Sequence, residues 1–346
     1  MIAPFLDGKY SETAVSIQVH DEYLHLSFRP LVLWLTSGLN RLDCGVINSD
    51  RYSMAAHVLA LCRYSDVSPR LFEALIRRFE SLEDVFRAEI AELLDIEGVS
   101  EQAAEVLAEA PGRLPEAETF VKSISEREIG LCTRFDKEYS NLLLELHDPP
   151  PLLYVRGKLP DHHRKTVCLV GARNATSDGQ KLTSVLAKAF AGAGVQIVSS
   201  LDGGAAAVAH LACKTAGGVS FAITNAGFDQ CLNPEIMPLA IDIAGTGGII
   251  SEYSPEATIT EQTESQTSRL LAGLCHGVVI TEAYSDSTEM LDLMKACAEV
   301  GKLVFFVVDP DVGALADEKS LAHALSNGAV LLEGLDKVND IVKSLV

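Results

Sequence analysis

The sequence predicts an α/β protein in which a doubly wound, mostly parallel sheet follows a small helical domain. Short apolar runs alternate with segments of helical periodicity through the second half of the chain, as is typical of parallel strands covered by helices on both faces. The first run, Val167–Val170, ends in a glycine-containing turn that leads into a predicted helix, which is how a doubly wound sheet begins. Residues 51–130, in contrast, show helical spacing and helix-start signals.

The composition indicates a globular protein. With 346 residues, of which 48% are hydrophobic and 22% charged, the chain is long enough for two domains with a large core. No apolar run approaches the roughly 20 residues that a membrane span needs, and the segment Met1–Pro4 lacks the features of a signal peptide. The eight cysteines are scattered without a CxxC pair, so we expect reduced thiols in a cytoplasmic protein with no membrane partner.

The net charge of −20 limits the classes of partner. It repels a phosphate backbone at long range and therefore argues against strong non-specific DNA binding. A local basic groove remains compatible with it, because a summed charge says nothing about one face. An acidic surface equally suits a basic protein partner.

Residues 1–50 form an N-terminal extension in which a β-hairpin is predicted. Apolar and polar residues alternate over 15–19 and again over 24–28, with His20-Asp21-Glu22 between them. The run Leu31–Leu35 is compatible with a helix or a third strand. Packing accounts for most of this segment, and a partner-binding extension is the alternative.

Residues 51–130 are predicted to form a helical domain. Ala55–Arg63 and Leu71–Phe79 carry apolar residues at helical spacing. Ser68-Pro69 and Ser81 are helix-start signals, since serine caps a helix and proline suits its first position.

The stretch Leu94–Ser100 and the residues after it resemble a helix-hairpin-helix, as in SAM-like domains. In that motif, a glycine-containing turn presents backbone N–H groups to a DNA phosphate. Here Glu97, Glu101 and Glu105 flank the turn in place of lysine or arginine. Like charge repels a phosphate, so the sequence favours a packing role over DNA binding.

Residues 131–346 are predicted to form the sheet domain, together with the connector that leads into it. The prolines of Asp148–Pro151 force an extended segment before the predicted strand Leu152–Val155. The strands predicted after it are Val167–Val170, Gln196–Ser200, Ser220–Thr224, Gly248–Ser251, Val278–Thr281, Val304–Val308 and Val330–Leu332. The helices predicted between and after them are Lys181–Ala193, Ala205–Thr215, Pro234–Ile243, Thr267–Cys275, Met290–Val300, Leu321–Ser326 and Lys337–Val346.

The turn Gly171-Ala172-Arg173 after the first of these strands is a candidate anion site. Backbone N–H groups and a helix N-terminus suit a phosphate there, and Arg173 adds a fixed positive charge. The chain has no GxGxxG motif at this turn, so a nicotinamide cofactor is not implied. We predict no cofactor and no metal site.

The order of these motifs resembles the DprA/Smf family of DNA-processing proteins. The resemblance covers roughly Ala55 to Ala329 and rests on Asp148-Pro149-Pro150, Leu153-Tyr154, Gly157, and Gly171-Ala172-Arg173 in place of the family's Gly-Ser-Arg. It implies a Rossmann-like sheet domain, single-stranded DNA as a ligand, a RecA-type recombinase as a protein partner, and a homodimer.

The segment Ser199–His210 is similar to the family motif Ser-Gly-Leu-Ala-x-Gly-Ile-Asp-x-x-Ala-His. Five motif residues are kept, while Asp202 is new and Ala206 replaces the family's aspartate. Within it, Gly203-Gly204 suits either a close ligand or a tight turn. The resemblance and the turn together give these candidate nucleic-acid or anion-binding residues: Gly171, Arg173, Ser199, Gly203, Gly204, His210 and Arg269.

Several departures from the family pattern make the predicted strand ends more negative. Thr267 stands where the family has a cation, and Asp202, Glu264 and Glu289 add anions at predicted strand ends. Each lost phosphate cation lowers affinity and the salt dependence of binding. We therefore expect a weakened or retargeted phosphate groove, with Arg173 and Arg269 flanking one anion site.

The sequence favours a non-enzymatic protein. His210 is expected to hold a loop by a hydrogen bond rather than to act as a base. The alternative function is that of an antitoxin, of the ShosA type, which neutralises a toxin in a phage-defence pair. A nucleotide-processing enzyme built on Glu252 and Glu282 is the least favoured hypothesis, because the motifs of such enzymes are absent.

Overall fold

The structure, a computed structural model, describes residues 15–19, 22–26, 49–231, 236–284, 288–309, 311, 313–334 and 337–345. Its first element is the hairpin that the sequence alternation predicts. Strand β1 (Val15–Val19) pairs antiparallel with β2 (Glu22–Leu26), with Val15 opposite Leu26. The prediction for Leu31–Leu35 lies outside the described residues.

The helical segment begins at Ser49, six residues before the start at Ala55 that the apolar spacing predicts. Its helices are α1 (Ser49–Cys62), α2 (Pro69–Arg78), α3 (Leu82–Val85), α4 (Ile90–Leu94), α5 (Glu101–Ala108) and α6 (Leu114–Glu126). The helix-start predictions are confirmed, because the hydroxyls of Ser68 and Ser81 accept hydrogen bonds from the backbone N–H groups of Leu71 and Asp84.

The predicted helix-hairpin-helix is formed by α4, α5 and the turn between them. Gly98 has a φ of +86°, in the left-handed region where a side chain would be strained. Leu93 and Leu107 are buried in the core of this segment, whereas Glu97 and Glu105 are exposed. The motif therefore packs through its apolar side chains and presents carboxylates to solvent.

The second half of the chain forms a nine-stranded sheet with the order β11-β10-β9-β5-β6-β7-β8-β4-β3. Its strands are β3 (Gly130–Thr133), β4 (Leu152–Gly157), β5 (Thr166–Val170), β6 (Gln196–Ser200), β7 (Ser220–Ile223), β8 (Gly248–Ser251), β9 (Gly277–Ile280), β10 (Leu303–Val308) and β11 (Val330–Glu333). The strands from β5 to β11 are parallel to one another, and β4 is antiparallel to both β8 and β3. The predicted mostly parallel sheet is confirmed, while β3, four residues long, was missing from the prediction.

The helices of this half are α7 (Ser177–Gly192), α8 (Gly204–Thr215), α9 (Phe228–Cys231), α10 (Met237–Thr246), α11 (Glu261–Gly273), α12 (Thr288–Glu299), α13 (Glu318–Ser326) and α14 (Val338–Ser344). The short α9 was missing from the prediction. Helix α11 begins six residues before the predicted start at Thr267. Its first turns are polar and lack apolar periodicity, but Thr260 and Thr263 cap them reciprocally.

The helices cover both faces of the sheet. On one face, Val167 and Leu169 of β5 lie in a buried cluster with side chains of α7, α8 and α14. On the other, Cys168 and Val170 lie in a cluster with side chains of α11 and α12. The helical segment continues this core, because Leu59 of α1 belongs to a cluster that also includes residues of β4 and β8. The domain boundaries at 50 and 130 stay a prediction.

Strand β5 is the point where the strand order reverses. The chain leaves β5 for β6 on one side and later returns to β9 on the other. Ligands of doubly wound sheets bind in the crevice at the carboxyl ends of the strands beside such a point. This places the turn after β5, with Arg173, at the expected position of a binding site. Among the described residues, no helix is both long and apolar enough to cross a membrane.

Candidate functional site

A cleft lies at the carboxyl ends of β5, β6 and β7, between the turns that follow these strands and the first turns of α11 and α12. The cleft has a volume of about 60 Å³. The polar or charged residues that line it are Arg173, Ser199, Ser200, Asp202, Thr224, Asn225, Glu264, Thr267, Ser268 and Glu289. Among these described lining residues, Arg173 alone carries a positive charge.

Three carboxylates surround the Arg173 guanidinium. Nη2 of Arg173 forms an ion pair with Glu289, and it lies 3.4 Å from Oε1 of Glu264 and 4.0 Å from Oδ2 of Asp202. The arginine side chain is half exposed. The three anionic replacements predicted at separate strand ends thus meet at one arginine, and the four groups carry two net negative charges.

Burial and Arg173 act in opposite directions on Glu289. Its partial burial raises the pKa of the carboxyl above the usual value, while the Arg173 guanidinium lowers it. The neighbouring Asp202 and Glu264 carboxylates raise it further. The net result is a raised pKa, because burial and the neighbouring acids outweigh the effect of Arg173.

At two of the predicted glycines, the absence of a side chain allows the Arg173 turn to pack closely against its neighbours. A Cβ on Gly171 would lie 2.5 Å from Oγ1 of Thr281, and one on Gly204 would lie 2.1 Å from the carbonyl oxygen of Arg173. Gly204 also has a φ of +58°, which strains any other residue. Gly203, the N-cap residue of α8, is exposed and has open space around its Cα. The glycine pair thus makes a tight turn in which only Gly204 approaches backbone closely.

Ser199 and His210 use their side chains within the fold. The buried Ser199 hydroxyl donates to the Leu169 carbonyl at 2.7 Å, which ties β6 to β5. His210 is 1% exposed, and its Nε2 lies 3.2 Å from the carbonyl oxygen of Ser200. A carbonyl only accepts, so Nε2 carries the proton and donates. The predicted loop-holding hydrogen bond of His210 is therefore present.

A carboxylate from the chain fills the predicted anion position at the N-terminus of α7. Oε2 of the fully buried Glu282 accepts a hydrogen bond from the backbone N–H of Thr176 at 3.1 Å. The hydroxyl of Tyr284 donates to Oε1 of the same group at 2.7 Å, and this hydrogen bond raises the pKa of Tyr284 to about 12. A Cβ on Gly179 would lie 2.0 Å from Oε2 of Glu282. Glycine at 179 thus leaves room for the internal anion.

Arg269 lies in a second group of charges. Its Nη2 lies 2.6 Å from both carboxylate oxygens of Glu252, and its Nη1 contacts the backbone carbonyl of Asp148 and lies 3.4 Å from Oδ1. The arginine and Glu252 are largely buried. Among the described ion pairs, Arg173 and Arg269 share no carboxylate partner, and their flanking of one anion site stays a prediction. Glu252 and Glu282 likewise have separate partners.

Gly171, Arg173 and Ser199 line the cleft, whereas Gly203, Gly204, His210 and Arg269 are not among its lining residues. The anion-binding role of all seven stays a prediction. Sequence reasoning missed Asn225, whose Nδ2 lies 3.5 Å from Oε1 of Glu264. Its position directly after the predicted strand Ser220–Thr224 was the signal available.

A separate group that could hold a metal lies away from this cleft. Side chains of the exposed residues Asp161, His162 and His163 place their ligand atoms within 4.8 Å of one another. They precede β5 and so lie near the amino end of that strand. The backbone N–H of His163 already donates to Oδ1 of Asp161 at 2.9 Å.

Adjacent glycines provide a matched test of the turn. We expect Gly204→Ala to lower the free energy of unfolding by about 2 kcal/mol or more, through left-handed strain and the collision with the Arg173 carbonyl. Gly203→Ala, which meets open space, should cost under about 1 kcal/mol. Urea unfolding of both variants measures this difference. Equal losses would show that the close approach at Gly204 is absent.

His210 should make stability depend on pH. Burial lowers its pKa from 6.5 to about 4, so the unfolded chain binds this proton at a higher pH than the folded one. The stability due to neutral His210 is complete above pH 6.5 and falls as the pH drops towards 4. From pH 7 to 5, the wild type should lose about 2 kcal/mol more than His210→Asn, measured by urea unfolding. Parallel pH profiles would contradict the assignment.

Comparison with known proteins agrees with the fold and its motifs. The sequence model of the DNA recombination-mediator protein A family matches residues 130–345. Protein Smf of Synechocystis sp. is 30% identical over 286 residues, which are 81% of this chain and 70% of that protein. DNA processing protein DprA of Bacillus subtilis is 26% identical over 194 residues, covering 56% of this chain and 65% of the relative.

Two solved structures share the fold. DNA processing protein A from Streptococcus pneumoniae superposes with a TM-score of 0.66 at 21% identity, covering 84% of this chain and 98% of that one. The Helicobacter pylori protein, whose structure describes a single-stranded DNA binding mode, gives a TM-score of 0.54 at 20% identity, with coverages of 63% and 98%. With the family model matching well over half of its length, the chain belongs to the DNA recombination-mediator protein A family, the DprA/Smf proteins.

Proposed function

We propose that this protein is a non-enzymatic DNA-processing protein that binds single-stranded DNA weakly through the cleft beside β5. Family membership supports the ligand class, since the H. pylori relative is described as binding single-stranded DNA. The observation that carries the proposal is the position of Arg173. It is half exposed at the strand-order reversal, where its planar guanidinium suits a phosphate.

The groups around Arg173 favour binding over catalysis. The Ser199 hydroxyl donates to a backbone carbonyl, and His210 is buried and bonded to another. A nucleophile and its base need to lie within hydrogen-bond reach of each other, and these two side chains are engaged elsewhere. Glu252 is held by Arg269 and Glu282 by Thr176, which leaves neither free to act on a nucleotide.

A second candidate function is binding of a basic protein, such as a toxin in a phage-defence pair or a recombinase. The specific observation in its favour is the net negative charge of the group formed by Arg173, Asp202, Glu264 and Glu289. Such a group attracts lysine and arginine side chains and disfavours nucleic acid. A protein that fails to bind single-stranded DNA even at low salt would favour this second function.

We also propose that the protein is a homodimer that uses the edge of the sheet at β11. Strand β11 lies at one end of the nine-stranded sheet, so one of its sides has no strand neighbour among the described residues. Val330, Leu331 and Leu325 of the preceding helix are each about two-fifths exposed. Exposed apolar side chains on an unpaired edge are typical of an interface.

Removing Arg173 should reduce DNA binding in a salt-dependent way. If it makes one phosphate contact, Arg173→Ala lowers the slope of log affinity against log salt by about 0.7. Titration of a labelled oligothymidine at several salt concentrations measures the slope. The control is Lys343→Ala on α14, which removes one exposed charge near the opposite end of β5.

The wild-type slope should itself be shallow, because Arg173 is the one cation among the described residues that line the cleft. A slope worth about six phosphate contacts or more would reveal a basic groove elsewhere and contradict the weakened site. If the Arg173→Ala variant has the same slope as the wild type, Arg173 makes no phosphate contact.

Charge on the β11 edge should separate the proposed dimer. We expect Val330→Glu/Leu331→Glu to sediment as a monomer, because burying two carboxylates in an apolar interface is costly. Val185→Glu is the control, since Val185 is equally exposed on α7. Analytical ultracentrifugation gives the mass, and circular dichroism confirms that the variants fold. A monomeric wild type at micromolar concentration would contradict the dimer.

A further inference from the structure

The carboxylates around Arg173 come from three elements that all begin at the same edge of the sheet. Asp202 directly precedes Gly203, the N-cap of α8. Glu264 and Glu289 lie in the first turns of α11 and α12. A helix N-terminus attracts anions, so each of these positions would otherwise favour an external phosphate.

No other cation lines the cleft among its described residues. Thr267 stands where the family pattern has a cation. Its buried side chain lines the cleft, and its hydroxyl donates to the carbonyl of Thr263 at 2.8 Å. A phosphate that enters the cleft therefore has one guanidinium to bind and must approach three carboxylates to reach it.

We propose that Asp202, Glu264 and Glu289 are the specificity-determining residues of this cleft, which weaken the binding of phosphate chains by holding Arg173 in internal ion pairs. The proposal rests on the proposed function, because it concerns the same Arg173 site. Neutralising the three acids converts the cleft from one that binds DNA weakly into one that binds it more tightly.

Coulomb repulsion between a bound phosphate and the three carboxylates determines the direction and the approximate size of the change in DNA affinity. For an assumed separation of about 6 Å between a phosphate on Arg173 and each carboxylate, each like charge weakens binding about threefold in water. Salt reduces the effect, since the distances are comparable to the Debye length at physiological ionic strength. Three neutralisations together should therefore raise affinity about tenfold or more at low salt.

The ion pairs contribute little to folding, so the variants needed for a test should remain folded. The Asp202, Glu264 and Glu289 side chains are 30%, 36% and 39% exposed. Ion pairs at such exposure add little to stability. Each carboxylate can therefore be replaced by its amide, which keeps the side-chain shape and removes the charge.

The test compares two triple variants of equal net charge. Asp202→Asn/Glu264→Gln/Glu289→Gln removes the acids of the cleft, and Glu118→Gln/Glu126→Gln/Glu299→Gln removes three exposed acids elsewhere. Glu299 is a close match for Glu289, because the two lie at opposite ends of α12. Labelled oligothymidine is titrated against the wild type, both triples, and the cleft triple with Arg173→Ala added.

The expected result is a gain of about tenfold or more for the cleft triple, a small gain for the control triple, and loss of most of the gain when Arg173→Ala is added. Equal gains in the two triples would overturn the proposal and leave the proposed function standing, since the effect would come from net charge alone. A gain that survives Arg173→Ala would also overturn it. Absence of binding by every protein at low salt would overturn both the proposal and the proposed function.

Discussion

Several helices begin at the carboxyl edge of the parallel sheet, and at four of them, α7, α8, α11 and α12, a carboxylate of the chain lies at or next to the start. Glu282 accepts the Thr176 N–H at α7, Asp202 precedes α8, and Glu264 and Glu289 lie in the first turns of α11 and α12. A doubly wound fold brings helix N-termini to this edge, where their unpaired N–H groups and dipoles attract negative charge. Here the chain's own carboxylates supply the negative charge. Three of them, Asp202, Glu264 and Glu289, lie close enough to Arg173 to form ion pairs with it.

Close packing fixes the backbone that carries Arg173. Gly204 must be glycine because a side chain there would meet the Arg173 carbonyl, and the Ala205 N–H donates to the Ala172 carbonyl at 3.1 Å. The buried Ser199 hydroxyl joins β6 to β5. A buried polar group left without a partner is costly, so these bonds hold the turn in one arrangement. Several motif residues therefore specify the shape of the turn, and Arg173 alone among them supplies charge to the cleft.

The fold was predictable from sequence because its signals are local. Apolar runs such as Val167–Val170 match buried strands, and the caps at Ser68 and Ser81 lie where predicted. The misses have physical reasons. Strand β3 is four residues long and half of it is only partly buried, and α11 begins with polar turns whose helical state depends on capping by Thr260. Short or polar elements give no periodicity to read.

The sequence by itself determined the order of strands and helices, the acidic character of the chain and the residues at the strand ends, because these follow from periodicity and composition. It placed Asp202, Glu264 and Glu289 at the carboxyl edge without showing what they contact. Only the tertiary structure decided that all three meet Arg173 while Arg269 pairs with Glu252. Ion pairs join residues as far apart in the chain as Arg173 and Glu289, and their geometry depends on how the sheet and helices pack.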